Sequence, residues 1–352
     1  MNNSLILLNS TNQKQKFIKY KNIKTILKII IFFIIIILLF NNYYLCIFRK
    51  FILNYDRNKI VINKKSNPKI QLNKKEIKVC ICTIGKQENK YIKEFVEYYK
   101  KYGIDKIFLY DNNEKEGEHF EEVIKDYIDK GFVQITNWRG IKLPGKKALK
   151  ECYMNNNKRF DWLIFYDIDE YIHLKNISNI KEFLNDKKFI QCNKIYLNWV
   201  FHTDNNLLKY DNRSLHERFP ELEPNALKKN KNYYGTGKTI IRGRINNINI
   251  KEVHLLDEKI PSCNSYGKII NFTRKNHMKN LDFENYYIDH YYFKSLEEFI
   301  QKIKKGDTYF GYDKIFLNHR LRRYLRINKI TLKKIKYIEK LLEVNLSYYK
   351  KH

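Results

Sequence analysis

The sequence lacks a glycine-rich phosphate loop. Glycine occurs 12 times among 352 residues, and neither the G-x-G-x-x-G fingerprint of dinucleotide-binding proteins nor a Walker motif is present. A Rossmann dehydrogenase is therefore disfavoured. The chain also contains no internal repeat, so a solenoid or propeller is not indicated.

Signatures of nucleic-acid binding are absent as well, although the net charge is +30 at pH 7. There is no zinc-finger spacing, no RNA-binding aromatic signature and no basic region followed by heptads. The lysines are spread through most of the chain together with Asn, Ile and Tyr, the composition that A/T-rich coding gives. We therefore predict no nucleic-acid partner, while a weak preference for anionic lipid surfaces or acidic donors remains open.

The cysteines do not have the spacing of a zinc site. None of the six falls in a C-x-x-C pair. Cys80 and Cys82 lie on one face of a predicted strand, which favours buried free thiols. The spacing leaves the redox compartment open.

One long apolar run lies near the N-terminus, at residues 26–48. Its uninterrupted part, residues 29–40, is shorter than the roughly 20 residues that span a bilayer, but a flanking lysine and tyrosines extend it. No acid precedes Asp56, and the many lysines before the run favour a cytosolic N-terminus. We expect a cytoplasmic tail at 1–25, a type II signal anchor at 26–48 and a lysine-rich stem at 49–76. A cleaved signal peptide is disfavoured because no small-residue cleavage site follows.

From Ile77 the pattern changes to alternating strands and helices, which is typical of an α/β domain with a mostly parallel sheet flanked by helices. Predicted strands are Lys78–Ile84, Lys106–Tyr110, Phe132–Trp138 and Trp162–Tyr166. Predicted helices between them are Asn89–Tyr102, Phe120–Lys130 and Leu143–Asn156.

The segment FDWLIFYDIDEYI, residues 160–172, carries the strongest chemical signal. Its apolar run ends abruptly in Asp167, Asp169 and Glu170, at the strand end where open α/β sheets bind ligands. Three carboxylates so close together repel one another unless a cation joins them, and Mg²⁺ or Mn²⁺ prefers such oxygen ligands. A solvated acidic loop is the alternative for this segment alone.

Five ordered motifs resemble a known family. They are ICTIGKQENKYIKEFVEYYKKYGIDKIFLYDNN, NWRG, FDWLIFYDIDEYI, GKTIIRGR followed by His254, and IDHYYFKSLEEFIQKIKKGD. The chain resembles a nucleotide-diphosphosugar glycosyltransferase of the GT-A fold, close to glycosyltransferase family 92 and the related family-2-like group. The resemblance covers roughly Lys78 to Asp307, and we place the catalytic domain at 77–310.

The resemblance implies roles for five residues. Thr83 would help seat the nucleotide base, and Asp111 would bind the uracil or ribose unless it is simply a turn residue. Asp169 of the D-x-D pair would coordinate the metal, while Asp167 would reach the ribose or a metal-bound water. His254 would be a second metal ligand, which favours Mn²⁺ over Mg²⁺; a packed histidine is about equally well supported.

The leaving diphosphate and the acceptor proton need further groups. Lys238 and Arg242 are candidates for neutralising the diphosphate, although lysine is frequent everywhere in this chain. If the reaction inverts, as family 92 implies, a carboxylate must take the acceptor's proton. The candidates are Asp204, Glu217, Glu221 and Glu223, with Glu217 placed first. His290 and Tyr291, in the late motif, would either bind the acceptor or pack against the next helix.

The C-terminal segment, residues 311–352, is basic with regularly spaced Leu and Ile. This pattern predicts one or two amphipathic helices, packed on the domain or lying at a membrane surface. Packing on the domain is the preferred interpretation.

The sequence thus predicts a membrane-anchored, Mn²⁺-dependent (or Mg²⁺-dependent) hexosyltransferase that moves a sugar from a nucleotide-sugar donor, above all a UDP-sugar, to a glycan or glycoprotein acceptor. A eukaryotic source would place it in the Golgi membrane. One alternative is a nucleotidyltransferase of similar fold. The other is a non-catalytic basic protein that binds nucleic acid or anionic membrane.

Overall fold

Four parallel strands form the first half of the sheet, in the spatial order β3-β2-β1-β4. They are β1 (Val79–Gly85), β2 (Lys106–Asp111), β3 (Val133–Asn137) and β4 (Trp162–Ile164). The helices between them are α1 (Asn89–Lys101), α2 (Glu121–Asp129) and α3 (Gly145–Asn156). Each predicted element of this half is present, and the bounds differ by one or two residues. These elements form because each helix buries an apolar stripe against a strand that is itself buried.

The computed structural model describes residues 76–228, 235–251, 254–270, 278–306, 314–344 and 346, with the side chains of 314–316 excepted. These residues belong to one unit, Lys75–His352. The predicted tail, anchor and nearly all of the stem lie outside the described residues. Among the helices that are described, none is long and apolar enough to cross a membrane.

The second half of the sheet is mixed, so the prediction of a mostly parallel sheet is correct for the first half alone. Its strands are β5 (Glu170–Leu174), β6 (Lys194–Phe201), β7 (Gly237–Arg242), β8 (Ser262–Cys263), β9 (Ile269–Ile270) and β10 (Tyr286–His290). Strand β7 lies between β4 and β6 and is antiparallel to both, and the sheet continues through β10 to β5. Antiparallel neighbouring strands need no crossover helix between them, so the alternation of strands and helices seen in the first half of the sheet is absent among the elements described here.

Because β7 reverses direction between two strands that run the same way, the carboxyl ends of β1, β2, β4, β6 and β10 all reach one edge of the sheet. The amino end of β7 reaches the same edge. This edge is where ligands bind in open α/β sheets.

The remaining helices cover the later part of the chain. They are α4 (Ile180–Leu184), a 3₁₀ turn (Lys187–Phe189), α5 (Leu215–Arg218), α6 (Pro224–Leu227), α7 (Leu296–Lys305), α8 (Lys314–Ile327) and α9 (Leu332–Leu342). Helices α8 and α9 bury Leu321, Tyr324, Ile335 and Ile338 in the main apolar core. The basic C-terminal segment therefore packs on the domain.

Two disulfides connect parts of the fold that are distant in sequence. Cys82 in β1 is bonded to Cys152 in α3, and Cys192 is bonded to Cys263 in β8. Cys80 is buried and unpaired. The prediction of buried free thiols therefore holds for Cys80 and is wrong for Cys82, because the side chain of Cys82 meets a helix cysteine that no local spacing reveals.

Candidate active site

The acidic segment follows β4 directly and closes into a tight turn. Asp167 is partly exposed, whereas Asp169 and Glu170 are 4% and 0% exposed. Glu170 begins β5, and its Oε2 accepts the backbone N–H of Asp167 at 3.1 Å. Glu170 thus holds the turn that presents Asp167 and Asp169 at the ligand edge.

Lys238, at the amino end of β7, reaches this turn from the neighbouring strand. Its buried ammonium lies 2.9 Å from Asp167 Oδ2 and 3.5 Å from Glu170 Oε1. Burial is the largest effect and would raise the pKa of the Asp167 carboxyl, but the charge and the hydrogen bond of Lys238, together with His290, leave that pKa below its ordinary value. For the wholly buried Glu170, burial dominates and raises the pKa well above the usual range. Burial therefore favours the protonated form of Glu170, whereas Lys238 favours the ionised form of Asp167.

Asp169 is enclosed by cations from the late part of the chain. Its Oδ2 accepts hydrogen bonds from Lys302 at 2.5 Å and from Lys294 at 3.2 Å, and its Oδ1 lies 3.6 Å from Nε2 of His290. Burial alone would raise the pKa of Asp169, yet the two lysine charges hold it well below its normal value. Asp169 is therefore ionised at every physiological pH.

His290 lies under this cluster at the carboxyl end of β10. Its ring stacks on Phe201 at a centroid distance of 5.1 Å and is 3% exposed. Burial lowers the pKa of His290 to about 4, and the bond to Asp169 offsets only part of that effect. The ring is therefore neutral near pH 7. Among the described residues its Nδ1 has no hydrogen-bond partner.

His254 approaches from the segment after β7. Its Nδ1 donates to the carbonyl of Gly237 at 2.9 Å, and its ring meets Trp199 edge-on at 5.1 Å. Because Nδ1 carries the proton in a neutral ring, Nε2 carries the lone pair, which is the arrangement found in metal-binding histidines.

A divalent ion has only part of its ligand set here. Asp167, Asp169 and His254 line one cavity and offer oxygen and nitrogen donors of the kind that Mn²⁺ accepts. Nevertheless, no group of three or more His, Cys, Asp or Glu side chains within the described residues is arranged to hold a metal ion. These residues fit an ion that takes its other ligands from a bound diphosphate, once Lys302 leaves Asp169.

The cavity at this edge has a volume of about 330 Å³ and a strongly basic wall. Its charged lining residues, apart from histidines, are the acids Glu88, Asp167 and Asp169 and the cations Lys86, Lys238, Lys302, Lys305, Arg320 and Arg323. The three acids are already paired with three of the lysines: Asp167 with Lys238, Asp169 with Lys302, and Glu88 with Lys305. Within the described residues the cations outnumber the acids, so the cavity favours an anionic ligand.

A second cavity, of about 350 Å³, adjoins the first and shares part of its wall, including Glu88 and Lys302. Its far side is formed by the ends of β1 and β2. Asn113 there is fully buried, and its Oδ1 accepts the backbone N–H of Gln87 at 2.6 Å. The amide Nδ2 of Asn113 has no hydrogen-bond partner among the described residues. This buried amide can therefore donate a hydrogen bond to an oxygen atom of a ligand.

Four of the predicted site residues meet at the first cavity: Asp167, Asp169, Lys238 and His254. Asp167 and Asp169 come from the turn after β4, Lys238 from β7, and His254 from the segment after β7. Lys238 and His254 are far in sequence from the two aspartates, and the sheet topology brings all four side chains together.

Thr83 and Asp111 lie close to the site without lining either cavity. Thr83 is buried within β1, and its hydroxyl has no hydrogen-bond partner among the described residues. Asp111 is 2% exposed and bound to Arg139 at 2.7 Å, and its other oxygen accepts the N–H of Asn113 at 2.9 Å. Asp111 thus shapes the loop that presents Asn113.

Arg242 requires a correction, because it does not reach the cavity. It pairs with Trp162 at the start of β4, whereas Asp167 follows the end of that strand. Its guanidinium donates to the carbonyls of Cys192 at 2.7 Å and Phe189 at 2.8 Å. Arg242 therefore ties loops together at the opposite edge of the sheet.

Glu217, the preferred candidate for the base, also requires a correction. It is exposed and forms a capping box at the start of α5, where its carboxylate accepts from the hydroxyl of Ser214 at 2.8 Å and from the backbone N–H at 3.0 Å. These hydrogen bonds hold the pKa of Glu217 below its ordinary value and engage its carboxylate in the cap, and Glu217 does not line the first cavity. The S-x-x-E spacing of Ser214 and Glu217 was a sequence signal for this cap.

The other three candidates for the base are also away from the first cavity. Asp204 is buried and paired with Lys334 at 2.6 Å. Glu221 lines a separate cavity near the end of α8, and Glu223 is wholly buried beside β6.

Sequence reasoning missed most of the basic wall. The sequence pattern singled out neither Lys302 and Lys305 of α7 nor Lys294 just before it, and it placed Arg320 and Arg323 in a segment that packs on the domain. Helical spacing marked the apolar face correctly, but it carries no information about which polar flank faces a ligand.

The sequence profile of glycosyltransferase family 92 matches residues 75–326. A family 92 protein of Ricinus communis is 29% identical over 105 residues, which is 30% of this chain and 18% of the relative. A family 92 protein of Oryza sativa subsp. japonica is 25% identical over 109 residues, 31% of this chain and 18% of the relative. The matched part therefore spans about a fifth of the length of these curated relatives.

Two solved structures show a more distant similarity. The S. aureus TarS 1-349 structure has a TM-score of 0.34 at 14% identity and covers 78% of this chain and 74% of its own. The mannosyltransferase PcManGT from Pyrobaculum calidifontis, solved in complex with GDP-Man and Mn²⁺, has a TM-score of 0.28 at 10% identity and covers 42% of each chain. The family profile, in contrast, spans most of the α/β domain and both cavities, and by that match the chain belongs to glycosyltransferase family 92.

Proposed function

We propose that this protein transfers a sugar from a nucleoside-diphosphate donor to an acceptor hydroxyl. The observation that carries the proposal is the first cavity, where an ionised Asp167–Asp169 pair lies among six cationic side chains at the ligand edge of the sheet. A nucleotide sugar has a neutral sugar joined to a doubly charged diphosphate, and a site of this kind accommodates both parts.

The two adjoining cavities match the two halves of such a donor. We place the diphosphate and sugar in the basic cavity and the nucleoside in the second cavity, which the ends of β1 and β2 form. The amide Nδ2 of Asn113 would then donate to a carbonyl of the base. Uracil and guanine both offer such an oxygen, so a UDP-sugar remains the first expectation and a GDP-sugar the second.

Asp169 and His254 would hold Mn²⁺, or Mg²⁺, together with oxygens of the donor diphosphate. The ion would supply Lewis-acid stabilisation of the charge that develops on the leaving diphosphate. Lys302 now occupies Asp169 Oδ2 at 2.5 Å, and its ammonium can turn from the carboxylate to a phosphate oxygen when donor binds. Lys238 stays buried against Asp167 and fixes that carboxylate as an anion.

Inversion of the anomeric centre would require one group to take the proton of the acceptor hydroxyl. Among the described residues, the carboxylates that line the cavity are Glu88, Asp167 and Asp169. Asp167 is the partly exposed member of this set, and we propose it as the acceptor-side carboxylate to test first. The acceptor itself is proposed to be a glycan or a glycoprotein.

The disulfides support a location outside the reducing cytosol. Bonds between Cys82 and Cys152 and between Cys192 and Cys263 persist in oxidising compartments. Together with the signal anchor expected at residues 26–48, they favour a type II membrane protein with a lumenal catalytic domain, in the Golgi if the source is eukaryotic. Peptide mapping without reduction should find both bonds, and Cys80 should alkylate only after unfolding. Four freely alkylated cysteines in folded protein would contradict this location.

The function is tested by incubating the folded protein with UDP- and GDP-sugars, with Mn²⁺, with Mg²⁺ or with a chelator. We expect release of the nucleoside diphosphate from at least one donor, and faster release with a metal. If folded protein releases nucleoside diphosphate from none of these donors under any of these conditions, the proposal is wrong.

A further inference from the structure

Helix α8 reaches the active-site cavity although it belongs to the C-terminal segment. Its buried side chains Leu317, Leu321, Tyr324 and Ile327 lie at helical spacing and join the main core. This packing alone accounts for the helix being attached to the domain. It leaves open why the next face of the helix is basic.

The register of α8 is fixed by contacts beyond simple burial. Tyr324 stacks on Phe299 of α7 at a centroid distance of 4.6 Å, and its hydroxyl donates to Asp204 Oδ2 at 2.5 Å. The side-chain oxygen of Asn328 accepts the backbone N–H of Asp204 at 2.6 Å. A helix anchored at both a ring and a carboxylate cannot rotate without breaking buried contacts, so the direction of its basic face is set.

That face places Arg320 and Arg323, one helical turn apart, in the wall of the cavity. The guanidinium of Arg320 lies 4.9 Å from the ring centroid of Tyr292, and that of Arg323 lies 5.4 Å from the ring of Phe201. Lys302, which binds Asp169, lies over the same Tyr292 ring at 4.1 Å. Cation–π contacts with these two rings thus hold Lys302, Arg320 and Arg323 in the wall of the first cavity.

The electrostatics of this space favour an anion. Burial and the like charge of Arg323 together lower the pKa of Arg320 to about 10, against the opposing effect of Asp169 and Asp167. Two guanidiniums are therefore held close together at an energetic cost, within electrostatic reach of the acidic turn. A phosphate group between them would offset the repulsion and accept pairs of hydrogen bonds from the planar guanidiniums.

We propose that Arg320 and Arg323 bind the diphosphate of the donor, so that the C-terminal helix is part of the active site. This inference rests on the proposed function. The two guanidiniums would hold the diphosphate from the side opposite the acidic turn and stabilise its charge as the bond to the sugar breaks. Removal of the helix would then abolish donor binding even if the remaining sheet stayed folded.

The test compares Arg320→Gln, Arg323→Gln and the double variant with a matched control. Arg322→Gln removes the same charge from an exposed position of the same helix. Each protein is titrated calorimetrically with UDP and GDP, and with uridine and guanosine, which have no phosphate. Thermal unfolding of each variant shows that it is folded, and Arg320→Lys with Arg323→Lys provides a second pair that keeps the charge.

We expect the double variant to bind the preferred nucleoside diphosphate about 10- to 100-fold more weakly, because two charge-assisted contacts are lost. Binding of the nucleoside should stay within about twofold, as should all binding by Arg322→Gln. The lysine variants should show an intermediate loss.

Three outcomes would overturn the inference. If wild-type protein binds a nucleoside diphosphate and the folded double variant binds it equally well, the arginines have no such role and the proposed function stands. If folded wild-type protein binds no nucleoside diphosphate and releases none from any donor, both proposals are wrong. An equal loss in Arg322→Gln would show that general charge, not the wall of the cavity, attracts the ligand.

Discussion

Replacing Asp169 with Asn should destabilise the protein, in addition to removing its activity. The carboxylate is 4% exposed and accepts hydrogen bonds from Lys302 at 2.5 Å and from Lys294 at 3.2 Å. Lys294 is itself 4% exposed. Without the carboxylate charge, buried cations face one another with no anion between them.

The size of the effect follows from burial. Removing one partner of a buried ion pair costs about 3–5 kcal/mol. The Asn amide oxygen can still accept one lysine hydrogen bond, and Lys302 has 24% of its side chain exposed, so it can turn to water. We therefore expect the lower end, about 3 kcal/mol. For a domain of this size that corresponds to a fall in Tm of about 6–12 °C.

The pH dependence has a definite sign. Because the folded-state pKa of Asp169 lies well below its ordinary value of 3.8, its contribution to stability is fully present above the unfolded-state pKa. It is lost as the pH falls through the folded-state pKa. The difference between wild type and Asp169→Asn should therefore stay constant from pH 8 to about 5 and shrink only in stronger acid.

The assay is urea unfolding followed by circular dichroism at several pH values. Asp129→Asn is the matched control, since Asp129 forms an exposed pair with Lys125 on the surface of α2. Its loss should have no measurable effect. If Asp169→Asn is as stable as wild type, or more stable, the lysines do not depend on this carboxylate and the electrostatic account of the turn is wrong.

Three further changes test separate parts of the structure. Glu217→Gln should leave donor turnover unchanged, because Glu217 caps α5 away from the cavity; a large loss of kcat in folded protein would restore it as the base. Arg218→Met should lower the unfolding free energy by about 3–5 kcal/mol, since it leaves the buried Glu298 carboxylate at 2.8 Å unpaired. Adding Glu298→Gln to Arg218→Met should recover part of the lost unfolding free energy, measured by urea unfolding. Strictly additive effects of the two substitutions would show that the two side chains do not interact. Asp289→Asn should cost about 2 kcal/mol at pH 7, because hydrogen bonds from two histidine rings overcome burial and hold the pKa of Asp289 at about 2. That cost should disappear as the pH falls from about 4 towards 2, and a cost that grows in acid would refute the assignment.

The first half of the fold was predictable because its signals are local. Helix α1 shows its buried residues Tyr91, Ile92, Phe95, Val96 and Tyr99 at helical spacing, and each strand is a short apolar run. The second half was less predictable, because the antiparallel placement of β7 between β4 and β6 depends on pairing between distant segments. The disulfides were missed for the same reason, since their cysteines are 70 and 71 residues apart.

The site residues also differ in how far the sequence reveals them. Asp167 and Asp169 stand out because an apolar strand ends in them, and the family resemblance located His254 and Lys238. Lysines and arginines number 68 in this chain, so composition cannot distinguish Lys302 or an arginine of the cavity wall from a solvated residue. Packing of two helices against the sheet edge determines that choice.

The most direct test of the central claim compares wild-type protein, Asp169→Asn and Glu217→Gln in one donor assay with Mn²⁺. The measured quantity is nucleoside diphosphate released from the preferred nucleotide sugar per folded molecule. We predict release by wild type and by Glu217→Gln, and a loss of about 100-fold or more in Asp169→Asn. Equal release by wild type and Asp169→Asn would show that the acidic turn after β4 is not where this protein acts on its donor.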